Sequence, residues 1–202
     1  YCICSDGAHR ALADCGMNQK VFERLGEEEL RRDAQIYALA ISRAVMSNVY
    51  PFAYEGLAEE MFEDLNQYQD VAGGAFDLSG VVEMVLLLKD KFRVLDEEIH
   101  DMNNLGQMDE AQQENAGRLN RLCMDLNRIL IPVHYCRNGD LFQTDLAVPI
   151  PAFPEFDQLP RLASLDKDQD GFKFLERQLV RGRNRVHYFL RQALLCLMEE
   201  GR

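Results

Sequence analysis

Apolar residues recur at three- and four-residue intervals in five long runs along this chain, and that period constrains its fold more than any other feature. Leu30, Ala34, Tyr37, Ile41, Ala44 and Val45 mark a first helix from Glu27 to about Ser47, with the acids Glu27–Glu29 favouring its N-terminus. Phe52, Leu57, Met61, Phe62 and Leu65 mark a second over roughly 52–69. A third carries Val81, Val82, Val85, Leu88, Phe92, Leu95, Ile99 and Met102, with Asp77 and Ser79 as N-cap candidates. The fourth spans about 109–135 through Leu119, Leu122, Leu126, Ile129, Leu130 and Val133, and the last about 172–199. No run alternates apolar and polar residues over strand length, and nothing repeats. The expected fold class is all-α, a four- to five-helix bundle.

The punctuation agrees with that reading. Asn48-Val49-Tyr50-Pro51 ends the first helix, because a residue before proline is pushed out of the helical region, and Pro51 suits the first turn of the next. Gly73-Gly74 closes the second helix and Asn103-Asn104-Leu105-Gly106 the third, while Pro132 should kink or end the fourth. Residues 137–165 hold Pro149, Pro151, Pro154 and Pro160, which argue against regular helix and for an extended strap bearing Phe142, Phe153 and Phe156 across the bundle. The polar stretch Arg181-Gly182-Arg183-Asn184-Arg185 should interrupt the stripe of the last helix. Two parts follow: a lead-in over 1–26 and a helical domain over 27–202.

Charge narrows the function. The chain of 202 residues has 22 basic and 34 acidic side chains, a formal net charge of −12, so its surface repels phosphate backbones and no nucleic-acid partner is expected. Its longest strongly apolar run, Val81–Leu88, contains Glu83, far short of the roughly 18 uncharged residues of a membrane span, so none is expected. The one basic concentration, Arg177, Arg181, Arg183, Arg185 and Arg191, is expected to pair with the acids of the second and third helices, or else to receive a carboxylate or partner. A chain of this length buries enough surface to dispense with disulfides, and Cys123 and Cys196 fall on apolar stripes as free thiols.

The motifs that carry chemistry are incomplete. Asp166-Lys167-Asp168-Gln169-Asp170-Gly171 matches the first half of a calcium loop, making Asp166, Asp168 and Asp170 candidate ligands. Its eighth position is Lys173 rather than apolar, and its twelfth is Arg177, with Glu176 one residue early and turned about 100° away. An acidic loop leading into the last helix is the plainer reading. Cys2, Cys4, His9 and Cys15 have atypical zinc spacing. Glu97 and His100 supply one Glu-x2-His, where a di-iron bundle needs two. His134 and His187 read as partly buried, satisfied residues.

The run from Tyr37 to Ala58, containing Ser47-Asn48-Val49-Tyr50-Pro51-Phe52-Ala53-Tyr54, resembles the helix–Leu-Pro-Phe-Asp-Tyr–helix passage of the transferrin-receptor-like dimerisation domain. That domain follows the catalytic domain in glutamate-carboxypeptidase-like di-zinc aminopeptidases. Phe76-Asp77-Leu78, Leu119-Asn120, Leu126-Asn127-Arg128-Ile129-Leu130 and the proline strap are similar in the same order, and Arg181–His187 is similar to bacterial versions. The resemblance covers about 28–200. It implies a non-catalytic association domain that forms a homodimer, docks on an adjacent peptidase domain, or both, and lines a substrate cleft. The implied interface or cleft residues are Tyr50, Pro51, Phe52, Tyr54, Phe153, Arg183 and Asn184. It also implies a zinc-dependent aminopeptidase-like parent, with zinc on the preceding domain and no cofactor in this chain. His9 alone stands near where that family has its final ligand histidine. The alternative is a freestanding metal-binding or small-ligand-binding bundle.

Overall fold

The computed structural model describes residues 26–136 and 151–200, which are all-helical, without strands. Six α-helices and two 3₁₀ turns are described: α1 (Glu27–Met46), α2 (Tyr54–Ala72), α3 (Ser79–Asn103), α4 (Glu110–Tyr135), α5 (Leu159–Ser164) and α6 (Asp170–Glu200), with 3₁₀ turns at Gly73–Ala75 and Pro154–Phe156. The chain divides into two compact units. One is Tyr1–Ser47 with Asp145–Pro149, and the other is Asn48–Thr144 with Ile150–Arg202.

Within the first unit, α1 is the described element. The Gly26 amide donates to Glu29 Oε2 at 2.9 Å, satisfying one of the N-terminal donors that a helix leaves open. At the other end the Ser47 hydroxyl donates to the Arg43 carbonyl.

The second unit is a helical bundle. Helix α3 packs against α2 and α6, and α4 against α6. Val81, Val85, Leu88, Phe92, Leu95, Ile99 and Met102 give α3 a continuous buried face, each side chain worth about 1.5–3 kcal/mol of gross burial. Helix α2 stops at Gly73, whose φ of +51° favours glycine, and Gln69 bridges the turn that follows. Its amide donates to the Phe76 carbonyl at 3.0 Å and its carbonyl accepts from the Leu78 amide at 2.7 Å. Asp109 and Gln112 cap α4 reciprocally.

Three local expectations need correction. Helix α2 starts at Tyr54, so Pro51 precedes the helix rather than opening it. The proline-rich segment contains regular helix after all: α5 begins at Leu159 with Pro160 in its first turn, where a missing amide donor is harmless. Residues 137–150 of that segment, including Phe142, lie outside the described residues. Helix α6 runs unbroken through Arg181–Arg185, because Leu175, Leu179, Gly182, Val186, Leu190 and Ala193 keep its stripe going with a glycine in the middle. A Cβ on Gly182 would sit 3.0 Å from Glu155 Oε2, so glycine is what lets the Pro154–Phe156 turn press against α6.

Candidate association surface

Apolar side chains face solvent at several places, among them Leu87, Val94 and Phe174, and two groupings stand out, one in each unit. In the first unit, α1 has the heptad-like spacing of a core helix, yet Ile41 is 61% exposed, Val45 78% and Met46 83%, with Leu30, Ile36, Tyr37 and Leu39 about half exposed. Leu30, Ala34, Tyr37, Ala38, Ile41, Ala44 and Val45 share one side about 120° wide, while Ile36, Leu39 and Met46 stand on the opposite side among Glu28, Arg32 and Arg43. A stripe a little over 100° wide is what a surface helix ordinarily turns toward a core, and on α1 it is turned to solvent.

In the second unit, Tyr50 and Phe52 are exposed on a segment whose backbone is held rigidly. The Val49 amide donates to Asn103 Oδ1 at 2.8 Å, and Asn103 Nδ2 donates back to the Val49 carbonyl at 2.9 Å. Asn120 does the same one step along, accepting from the Tyr50 amide at 2.9 Å and donating to the Asn48 carbonyl at 3.0 Å. Asn48 Nδ2 in turn reaches the carbonyls of Met102 and Leu105. Two asparagines, one closing α3 and one on α4, thus pair with an irregular segment as a neighbouring strand would. Rings follow in sequence from surface to core: Tyr50 to Phe52 at 5.8 Å, Phe52 to Tyr54 at 6.0 Å and Tyr54 to Phe92 at 5.3 Å. Beside Tyr50 lies a groove of about 350 Å³ lined by Asn120, Arg121, Met124, Asp125 and Arg128.

Tyr54 anchors this presentation from below. It is buried, and its hydroxyl donates to the Cys123 carbonyl at 2.9 Å, while burial pushes its phenol well above the ordinary tyrosine range. Asp96 on α3 caps α2 in place of a local side chain, accepting from the Tyr54 amide at 3.0 Å and the Glu55 amide at 2.8 Å. Burial raises the Asp96 carboxyl above its usual value, and the two amide bonds oppose that rise.

The remaining expected site residues are dispersed. Pro51 is exposed between Tyr50 and Phe52. Phe153 is fully buried, with φ of 47°, its amide bonded to the His134 carbonyl at 2.9 Å, so it is a core anchor rather than a surface contact. Arg183 donates to the Asp77 carbonyl at 2.8 Å and lies 5.1 Å over the Phe76 ring, whereas Asn184 is exposed. Asp166, Asp168 and Asp170 are exposed in the turn entering α6, where Asp166 accepts from the Asp168 amide at 3.2 Å. Among the described residues no three His, Cys, Asp or Glu side chains stand close enough to share a metal ion, and His9 lies outside them. No helix among the described residues is long and apolar enough to cross a membrane.

One histidine and the basic cluster behave differently from expectation. His134 is completely buried, with Nε2 3.2 Å from Asp64 Oδ2 and Nδ1 without a partner, and desolvation lowers its pKa despite the acids nearby. The basic cluster does not pair with the acids of α2 and α3. Arg185 meets Glu155 at 2.9 Å, and Arg183 takes a carbonyl and a ring instead. Sequence reasoning missed Asn103, Asn120 and Asp96, whose partners are 41 to 72 residues away and leave no local signal. No family model matches this chain, and no curated protein or solved structure matches it either.

Proposed function

We propose that this chain is a helical association domain without catalytic machinery of its own, belonging to a zinc-metallopeptidase-like protein of the aminopeptidase or glutamate-carboxypeptidase kind. The observation that carries the association is α1, whose apolar stripe has the width a packed helix buries and yet is exposed along its length. An adjacent domain would cover such a stripe, and a second copy of this chain is the other mode. In the second unit, Tyr50 and Phe52 are a separate exposed apolar pair on a backbone held in place before any partner arrives, the condition under which aromatic anchors bind best. The peptidase assignment is carried by the similarity of Tyr37–Ala58 and the matches that follow it. In that reading the zinc and its ligands belong to the neighbouring catalytic domain.

Amide hydrogen exchange tests the association directly. In the isolated chain α1 should exchange much faster than α3, and in a polypeptide that also carries the proposed neighbouring domain, or in a dimer at high concentration, it should become protected. An α1 that stays unprotected in both settings overturns the association. The peptidase assignment has its own test: coding sequence upstream of Tyr1 with His-x-Asp and paired acids supports it, and an upstream sequence lacking them removes it. Hydrolysis of an aminoacyl or γ-glutamyl substrate by the purified chain overturns the non-catalytic reading.

A further inference from the structure

Helix α6 carries a second surface, different in chemistry from the apolar one on α1. Its outward side, in register down the helix, presents Phe174, Arg177, Arg181, Tyr188 and Arg191, all exposed. From Gly171 to Met198 the only carboxylate on α6 is Glu176, which lies off this side. Arg177, Arg181 and Arg191 make no ion pair with any described residue. Exposed bases elsewhere, such as Arg93 and Arg121, also lack an ion pair among the described residues, so what sets this side of α6 apart is the grouping of three such arginines with exposed aromatic rings and no carboxylate.

The apolar members matter as much as the charges. Phe174 is 66% exposed and Tyr188 56%. They stand 14 residues apart, which places them nearly one above the other about 21 Å along the helix, with the three arginines between and below them. Aromatic rings and arginines are the residue types enriched at protein interfaces, and a guanidinium accepts a carboxylate through two parallel hydrogen bonds.

We propose that this side of α6 docks an acidic amphipathic helix of a partner protein, with carboxylates set against Arg177, Arg181 and Arg191 and two apolar anchors about four turns apart set against Phe174 and Tyr188. A helix is the matching shape because an extended segment covers the same 21 Å in about six residues and leaves too few carboxylates for three arginines. Protein is favoured over nucleic acid, since three arginines are too few to offset the field of a chain with net charge −12 on a charge at every nucleotide, whereas a helix needs only the carboxylates that meet those arginines and gains the apolar contacts besides.

The test uses the full chain and a synthetic 21-residue helical peptide with leucines 14 positions apart and glutamates at three- and four-residue spacing between them. Fluorescence anisotropy should show saturable binding that weakens as salt rises. R177E with R181E should weaken it by about a hundredfold, taking about tenfold per arginine, and Phe174→Ser should weaken it with little change in salt dependence. A peptide with its leucines 7 apart should bind less well than the first. Circular dichroism of each variant checks that α6 stays folded, and K89E, on α3, is the charge-reversal control that should leave binding unchanged. Binding unaffected by R177E with R181E, indifferent to leucine spacing, or weaker than binding to a 20-nucleotide single-stranded oligonucleotide would overturn the proposal. Because α1 is untouched by these variants, its fate is decided separately.

Discussion

Helices α1 and α3 are built to nearly the same pattern, and one is buried where the other is bare. Both place apolar residues at three- and four-residue intervals over five or more turns. Helix α3 buries seven of them against α2 and α6, whereas Ile41, Val45 and Met46 of α1 face solvent. Periodicity therefore reports that a face exists and which residues belong to it, but not what covers it. The difference also separates two kinds of stability. The face of α3 holds the unit together on its own, while the face of α1 has free energy still to gain from a partner.

Substitution measures that separation. Phe92→Ala empties a site that is fully buried and stacked on Tyr54, and should lower the unfolding free energy by about 3–5 kcal/mol in urea denaturation of dilute protein. Ile41→Ala, on the bare face, should change it by no more than about 0.5 kcal/mol. Equal losses at the two positions would break the comparison, because α1 would then be packed against something in the isolated chain. Asn103→Ala sits between these extremes. It removes both bonds to Val49 and leaves the backbone of that residue without its partners, for a loss of about 2 kcal/mol by the same assay. It should also release Tyr50 and Phe52, so that amides 49–52 exchange faster while α3 remains protected.

The same contrast sets how much could be read from the residues alone. The stripe of α3 was legible but for Val82, which is only partly buried, because the period fixes which residues share a face. The turn at Gly73-Gly74 and the irregular stretch from Asn48 were legible too, since glycine and proline act locally. The unbroken course of α6 was not: Gly182 looks like a break until Glu155 is seen packed against it, which is a contact across 27 residues of sequence. The asparagine clamp on Val49 and Tyr50 was equally hidden. Its partners lie 54 and 70 residues apart, and asparagine at a helix end has a sufficient local explanation. Charge was the least legible of all, because a cluster of arginines reads the same whether a described acid meets it, as at Arg185, or no described acid does, as at Arg177 and Arg181.

Buried polar groups sharpen the comparison through pH, since only a covered region can perturb them. His134 has its folded pKa depressed below the usual 6.5 by desolvation. A base depressed in the folded state gives stability that is full above its unfolded pKa and is lost as pH falls from there through the folded value. The urea midpoint of the second unit should therefore drop between pH 7.5 and pH 5.5. His134→Gln should show a smaller drop over that interval, with exchange at Phe153 reporting the loosened turn. An identical drop in the variant would assign the effect to other groups. Asp96 works in the opposite sense and a lower window: its raised carboxyl gives stability that is present below its unfolded pKa and lost as pH rises through the folded one. The two contributions are thus separable by pH range.

Two glycines carry the contrast between covered and bare positions down to a single methyl group. Gly56 lies in the first turns of α2 with nothing within 4 Å of where its Cβ would stand, and Gly182 lies mid-α6 under Glu155. Alanine is preferred to glycine in a helix interior by about 0.8–1 kcal/mol, somewhat less near an end, because it loses less backbone freedom on folding. Gly56→Ala should therefore raise stability by about 0.5 kcal/mol. At Gly182 the same gain is set against a Cβ placed 3.0 Å from Glu155 Oε2 and 3.1 Å from Glu155 Cβ, where the second neighbour is no flexible tip and the Arg185 ion pair moves with it. Overpacking of this kind costs about 1–3 kcal/mol, so Gly182→Ala should come out net destabilising by up to about 2 kcal/mol. The sign difference between the two variants is the quantity to measure. A stabilising Gly182→Ala would mean that the Pro154–Phe156 turn yields freely and does not press on α6 at all.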